Sequence, residues 1–283
     1  NGTAGIWRKD CILDAGGWEH DTLTEDLDLS YRAQMKGWQF VYLKDVVTPA
    51  ELPPDMNGFK TQQHRWAKGS VQTCLKILGP VWRSKLPRII KLEATAHLTA
   101  NFAYLLLILL CVLVNPAMHP ESGWGRTYVL DIPIFFATTI SVGLFYVTAQ
   151  IAINPSPLRW LREICYLPVL LALGIGMSVN NGKAVFQALL GRQSDFVRTP
   201  KYGIEKKRKD VRKAKYRALK SIAPVFEVAF FLYFSYLVLY ALALGNWIGI
   251  PFLILFQAGF FFVAYGSLRH LLPGWVLGTA ESY

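Results

Sequence analysis

The run HLTANFAYLLLILLCVLVN, residues 97–115, contains no charged side chain between His97 and Asn115. It is close to the ~20 apolar residues that cross the ~30 Å hydrocarbon core of a bilayer as a helix. Three further runs of this kind follow, at 132–153, 225–245 and 247–268. A fifth, 164–180, is shorter and interrupted by Pro168, Gly174 and Gly176. These runs raise the chain to 53% hydrophobic residues and a mean hydropathy of +0.28, above an ordinary soluble domain. Residues 1–94, by contrast, are mixed and charged. The composition therefore divides the chain into 1–94 and a membrane part, 95–283.

The net charge of +11 could point to nucleic acid, but its placement points to a membrane. Thirteen Lys and Arg lie in residues 1–94 and thirteen in 183–220, whereas 116–131 and the neighbourhood of Asn246 hold only Arg126. Cations gathered on alternate connections follow the positive-inside rule. The basic run KKRKDVRKAKYR at 206–217 is accounted for in this way, without a nucleic-acid partner. If 164–180 crossed the bilayer, the basic loop 183–220 and residues 1–94 would fall on opposite sides. The charge pattern therefore predicts four spans, with 164–191 as an interfacial or re-entrant helix and both basic regions cytosolic. The cysteines Cys11, Cys74, Cys111 and Cys165 show no C-x-x-C spacing and read as packing residues.

In the N-terminal part, TAGIWRK at 3–9 reads as a strand and Ala15-Gly16-Gly17-Trp18 as a turn. Thr24 stands where a helix N-cap belongs, ahead of Leu27, Leu29, Ala33 and Met35, and Gly37 ends that helix. Residues 39–43, QFVYL, read as a short buried strand, extended through Val46-Val47. Strand, helix and strand in this order predict an α/β domain. A second helix is predicted from Asn57 to Leu78. It is followed by Arg83, Lys85, Arg88 and Lys91 in a segment suited to a membrane interface.

Two clusters carry chemistry. Thr24-Glu25-Asp26 places carboxylates at a helix start, where the backbone N–H groups and the helix dipole hold them. A carboxylate there can act as a general base on an alcohol; the same trio is also simply good capping. In QQHRW at 62–66, helical spacing puts Gln62, Arg65 and Trp66 on one face and turns Gln63 away. Arginine offers bidentate bonds to a pyrophosphate, and an indole face stacks on a pyranose. No G-x-G-x-x-G is present, His64, His97 and His270 lack metal-ligand spacing, and Asp26 and Asp28 face apart on a helix.

The order T-E-D, then Q-Q-x-R-W some forty residues on, then an amphipathic segment and spans, resembles processive family-2 glycosyltransferases. Cellulose and hyaluronan synthases belong to this group, and plant-type mannan synthases with their bacterial relatives are the most similar members. The matching stretches are GTAGIWR (2–8), AGGW (15–18), TEDLDLSYRA (24–33), KGWQFVYL (36–43), ELP (51–53) and QQHRWAKG (62–69). The resemblance implies a GT-A-type fold docked on a membrane domain. It implies inverting transfer of a hexose from a UDP- or GDP-linked donor to a β-linked polysaccharide.

It also implies residue roles: Asp26 as general base, Glu25 and Trp66 at the acceptor, and Gln62 and Arg65 at the nucleotide pyrophosphate. Asp195-Phe196-Val197-Arg198-Thr199-Pro200-Lys201 resembles the family's gating loop, with Phe196, Thr199 and Lys201 at its key positions. The family's uridine and Mg²⁺ or Mn²⁺ aspartates lie upstream of these motifs, so the chain reads as a C-terminal fragment, inactive alone and without its own metal site. The rival expectations are a lipid acceptor, as in ceramide glucosyltransferases, and a membrane scaffold without catalysis.

Overall fold

The computed structural model describes residues 4–43, 46–53, 55–118, 128–153, 156–194 and 222–269. Among them are eleven α-helices and one 3-10 turn. The helices are α1 (Lys9–Asp14), α2 (Glu25–Met35), α3 (Met56–Arg83), α4 (Arg88–Thr99), α5 (Ala103–Met118), α6 (Tyr128–Ile153), α7 (Pro157–Ile164), α8 (Leu167–Gly176), α9 (Ser178–Leu189), α10 (Ala223–Ala243) and α11 (Ile250–Leu268), with the 3-10 turn at Ala100–Phe102. They divide into two compact units. The described residues of the first fall within 1–106 and 178–223, those of the second within 107–177 and 224–272.

In the first unit α2 is buried on two faces. Leu29 and Ala33 pack with Cys11 and Ala15 of the α1 region, while Leu27, Tyr31 and Met35 lie against Cys74, Ile77, Val81, Ala94 and Leu98 of α3 and α4. The two sets follow i, i+4 spacing on opposite sides of one helix. Leu29 and Leu98 are fully buried, which stabilises by about 1.5–3 kcal/mol each. Gly37, at φ 92°, ends α2 in the left-handed region that glycine adopts freely. The Tyr31 hydroxyl lies 2.7 Å from His97 Nδ1, joining α2 to α4.

Helix α3 starts at Asp55, whose carboxylate accepts the Gly58 N–H at 2.6 Å. It runs beyond the predicted Leu78 to Arg83, carrying Pro80 in its last turn. There Lys91 of α4 donates to the Trp82 and Ser84 carbonyls at 3.0 and 2.7 Å, satisfying groups a helix end leaves open. Helix α9 packs along α3 through Val185 and Ala188 against Val71.

The predicted strands find no support among the described residues, none of which is in a strand. Residues 4–8 and 38–43 run without a ladder, and α1 already begins at Lys9. Val41 and Tyr42 are 81% and 82% exposed. In extended chain, neighbouring side chains point to opposite sides, so neither side of this segment is covered. A strand exists only through the ladder it shares with another, and the described residues supply no second member.

In the second unit, α8 and α11 are the closest-packed pair, with Ala172 and Gly176 against Gly259 and Val263. Among the described residues, three helical stretches are long and apolar enough to cross a membrane: Arg88–Asn115, Ala223–Ala243 and Ile250–Leu268. A fourth is reached if the bent pair Pro157–Gly176 and Ser178–Leu189 counts as one span. The predicted run 132–153 falls in α6, of which Ile140–Ile153 is a shorter apolar helix.

Candidate active site

One stripe of α3 organises the N-terminal motifs. Gln62, Arg65 and Trp66 lie on it, and one turn further come Gly69, Gln72, Thr73 and Lys76 at i, i+3, i+4 and i+7. The segment leading into α2 rests on this second group. The Leu23 N–H donates to Gln72 Oε1 at 3.0 Å, and the Thr24 and Thr73 hydroxyls are 3.2 Å apart. A Cβ on Gly69 would fall 2.6 Å from Thr24 Cγ2 and 2.8 Å from the Thr24 backbone nitrogen. Thr24 occupies the N-cap position as its sequence position predicts, yet its side chain makes no cap hydrogen bond. The hydroxyl is turned toward α3 instead.

This docking brings together motifs some forty residues apart. Burial lowers the Arg65 pKa, and the carboxylates acting back on it are Glu25 and Asp26. Both acids stand in the first turn of α2, where the helix dipole favours negative charge. Trp66 is 39% exposed on the surface of α3, whereas Gln62 and Arg65 are half-buried. Phe196, Thr199 and Lys201 lie outside the described residues.

The opposite side of α3 faces α9. The His64 pKa is pushed down to about 4, first by burial and then by the Lys183 and Lys68 ammonium groups, against a hydrogen bond with Gln187. Lys68 is almost fully buried and donates to Ser194 Oγ at 2.8 Å. Asn180 Nδ2 donates to the Lys60 carbonyl at 2.9 Å. None of these contacts was legible as chemistry in the sequence, though Lys60, His64 and Lys68 recur at i+4.

Three acids, Glu19, Asp21 and Asp28, bring one carboxylate oxygen each within 4.8 Å of one another. Lys76 already stands among them, its ammonium 2.8 Å from Asp21 and 3.1 Å from Asp28 and also bonded to Glu19. Burial alone would lower the Lys76 pKa, but the hydrogen bonds it donates to these acids raise it overall. Arg32 holds the other oxygen of fully buried Asp28 at 2.7 Å, and also binds the Ala15 and Gly17 carbonyls of the glycine turn. The cluster is an ion network of three carboxylates held by two cations, Lys76 and Arg32. A divalent ion would have to displace an ammonium group from its centre, so these residues do not fit a metal site.

The signals that could have identified the α3 platform were modest: a glycine in mid-helix, which asks for a packing reason, and polar residues continuing the Arg65–Trp66 stripe. Gly69 in particular passes unremarked unless its neighbour in space is known.

Comparison with known proteins agrees with the motif pattern. Residues 4–179 match the family described as "Glycosyl transferase family group 2". The chain is similar to glucomannan 4-beta-mannosyltransferase 1 of Oryza sativa subsp. japonica, at 32% identity over 96% of this chain and 52% of the relative. It is similar to the protein of the same name from Cyamopsis tetragonoloba at 28% identity, over 96% of this chain and 51% of the relative. A probable glucomannan 4-beta-mannosyltransferase 9 of rice is 30% identical over 96% of this chain and 51% of that protein. The chain thus spans about half the length of the curated relatives it matches. No solved structure matches it. With its motifs gathered on α2 and α3 and more than half its length matched, the chain belongs to glycosyl transferase family group 2.

Proposed function

We propose that this chain carries the acceptor-side machinery of a membrane glycosyltransferase that lengthens a β-linked polysaccharide by inverting hexose transfer. The observation that supports this most is the docking of the segment that leads into Glu25 and Asp26 onto α3, through Leu23 with Gln72 and Thr24 with Thr73, on the stripe that carries Arg65 and exposed Trp66. Asp26 takes the proton of the acceptor hydroxyl as its oxygen attacks the anomeric carbon. The bond from that carbon to the diphosphate breaks, its electron pair leaves with the nucleoside diphosphate, and the anomeric configuration inverts. Arg65 and Gln62 face the departing diphosphate, Trp66 stacks on the acceptor sugar, and Glu25 lines the acceptor end. Phe196, Thr199 and Lys201 are proposed to contact the donor from the basic loop. The relatives' names suggest mannose as the sugar, carried by a UDP- or GDP-linked donor.

Any Mg²⁺ or Mn²⁺ serving the donor is assigned to residues other than Glu19, Asp21 and Asp28. The packing of α9 on α3 supports placing residues 183–194 on the same side of the membrane as residues 1–94. The positive-inside rule makes that side cytosolic.

The test is transfer from radiolabelled GDP-mannose or UDP-glucose by full-length protein in membrane vesicles, with Asp26→Asn as the control. Loss of a general base lowers the rate by about 10²–10⁴-fold, while nucleotide binding persists. Undiminished turnover by the variant would remove Asp26 from the base role. A labelled product that extracts into organic solvent and resists β-glycanases would replace the polymer acceptor with a lipid.

A further inference from the structure

The contacts between α3 and the residues just before α2 explain a departure from ordinary helix capping. Thr24 is in position to cap α2, and a threonine cap contributes about 1 kcal/mol. Here its hydroxyl is directed 3.2 Å away to Thr73. The preceding amide, Leu23, is held by Gln72 at 3.0 Å. The two ties fall on consecutive residues of the α2 entry, Leu23 and Thr24, and consecutive residues of α3, Gln72 and Thr73, so they fix the α2 entry in position and rotation. Gly69 then sets the distance of approach. A methyl group there would meet the Thr24 backbone nitrogen at 2.8 Å, and no side-chain rotation relieves a clash with backbone. Asp26 is two residues beyond this staple, and Arg65 is one helical turn before Gly69.

From this geometry we propose that Gly69, Gln72 and Thr73 are positioning residues that set the separation between the carboxylates at the start of α2 and Arg65 on α3. They touch neither substrate. They act through Thr24 and Leu23, and the first residue of the T-E-D motif is threonine because its hydroxyl and methyl dock on α3. The inference rests on the reading of Asp26 as base and Arg65 as donor-facing. Reacting groups tolerate little displacement, and a shift of about 1 Å can cost roughly 10²-fold in rate.

Two measurements test it. In the full-length protein, Gly69→Ala is expected to lower kcat by about 10²-fold with the donor KM within about twofold. Thr73→Val and Thr24→Val are expected to lower kcat non-additively, because each removes the same bond, and Thr24→Ser, which keeps the hydroxyl, restores most of it. In the 283-residue chain, Gln72→Ala is expected to speed hydrogen exchange of the Leu23 amide by about fivefold, the loss of one net hydrogen bond. Gly69→Ala with wild-type kcat, or a parallel fall in kcat and donor affinity together with the melting temperature, overturns the positioning role. So do additive Thr24 and Thr73 effects. An unchanged Leu23 exchange rate overturns the staple itself. Wild-type protein that transfers no sugar refutes the functional reading and the positioning role with it, while the Leu23 measurement still reports the staple.

Discussion

Gly176 of α8 lies directly against the backbone of Gly259 of α11: a Cβ on Gly176 would stand 2.7 Å from the Gly259 carbonyl carbon and 2.6 Å from Val263 Cγ2. Ala172, one turn earlier on α8, is the next neighbour: a Cβ on Gly259 would run into its carbonyl oxygen. In lipid, apolar helices gain little from leaving their surroundings, so close approach of backbones through small residues holds them together. Gly176→Ala is therefore expected to force α8 and α11 apart and to destabilise by about 1–3 kcal/mol, as overpacking does. Unfolding in mixed detergent micelles measures this. A variant as stable as the wild type would mean that the pair is held by other contacts.

Trp66 and Arg65 are adjacent in sequence but differ in what they offer a ligand. The indole provides apolar contact to a pyranose face, and the guanidinium provides charge to a phosphate. Trp66→Ala is expected to abolish elongation while a nucleotide analogue binds within about twofold. Arg65→Ala is expected to weaken the nucleotide at least tenfold, since a charge-assisted bond is worth about 1.5–3 kcal/mol. Titration with the analogue beside product-length analysis separates the two. Long products from the Trp66 variant would end its acceptor role.

His64 makes the stability of the first unit depend on pH. Its pKa in the folded chain is about 4, against an ordinary 6.5. The groups facing it are Lys68 on its own helix and Lys183 and Gln187 on α9. Because the folded value is depressed, the unfolded chain binds the extra proton first as pH falls. Stability is therefore complete above about 6.5, drains away between 6.5 and 4, and is not lost further below that from this group. The full effect is at most about 3 kcal/mol. Melting temperatures of wild type and His64→Gln should converge as pH falls from 7 to 4.5. Parallel curves would show that His64 is not the titrating group.

Lys76→Met leaves Asp21 and one oxygen of buried Asp28 without their cation, while Glu19 keeps Arg32 at 3.6 Å. Breaking a buried ion pair from one side costs about 3–5 kcal/mol. Arg32 still holds Asp28 and Lys76 is 26% exposed, so the loss belongs at the lower end of that range. Thermal unfolding at pH 7 gives the value. If Lys76→Met leaves stability untouched and the chain then binds Mn²⁺, the acidic trio is a metal site blocked only by the lysine.

Much of this chain was legible without coordinates, wherever one segment's own composition decides the outcome. The run 97–115 falls in a helical stretch long and apolar enough to cross a membrane, as its composition alone predicts. Leu27, Leu29, Ala33 and Met35 announced α2 by spacing, and Gly37 marks its end through backbone sterics. Even the clustering of Gln62, Arg65 and Trp66 followed from 3.6 residues per turn.

What spacing could not supply was the neighbour of each face. The sequence at 39–43 has strand composition, but a strand is a property of two segments and the described residues provide only one. Thr24 reads as a cap, yet tertiary packing gives its hydroxyl to Thr73. Asp28 reads only as an acid facing away from Asp26 on a helix, and it is in fact buried between Lys76 and Arg32. Gly69 and Gly176 look alike as glycines within helices, and only the opposing backbones, Thr24 for one and Gly259 for the other, reveal why a Cβ is excluded. By itself the sequence determined the helices, their polar and apolar faces, and the residue types able to do the chemistry. The tertiary structure decided which faces meet and how closely, because contact between distant segments depends on packing shape and on partners that local periodicity does not encode.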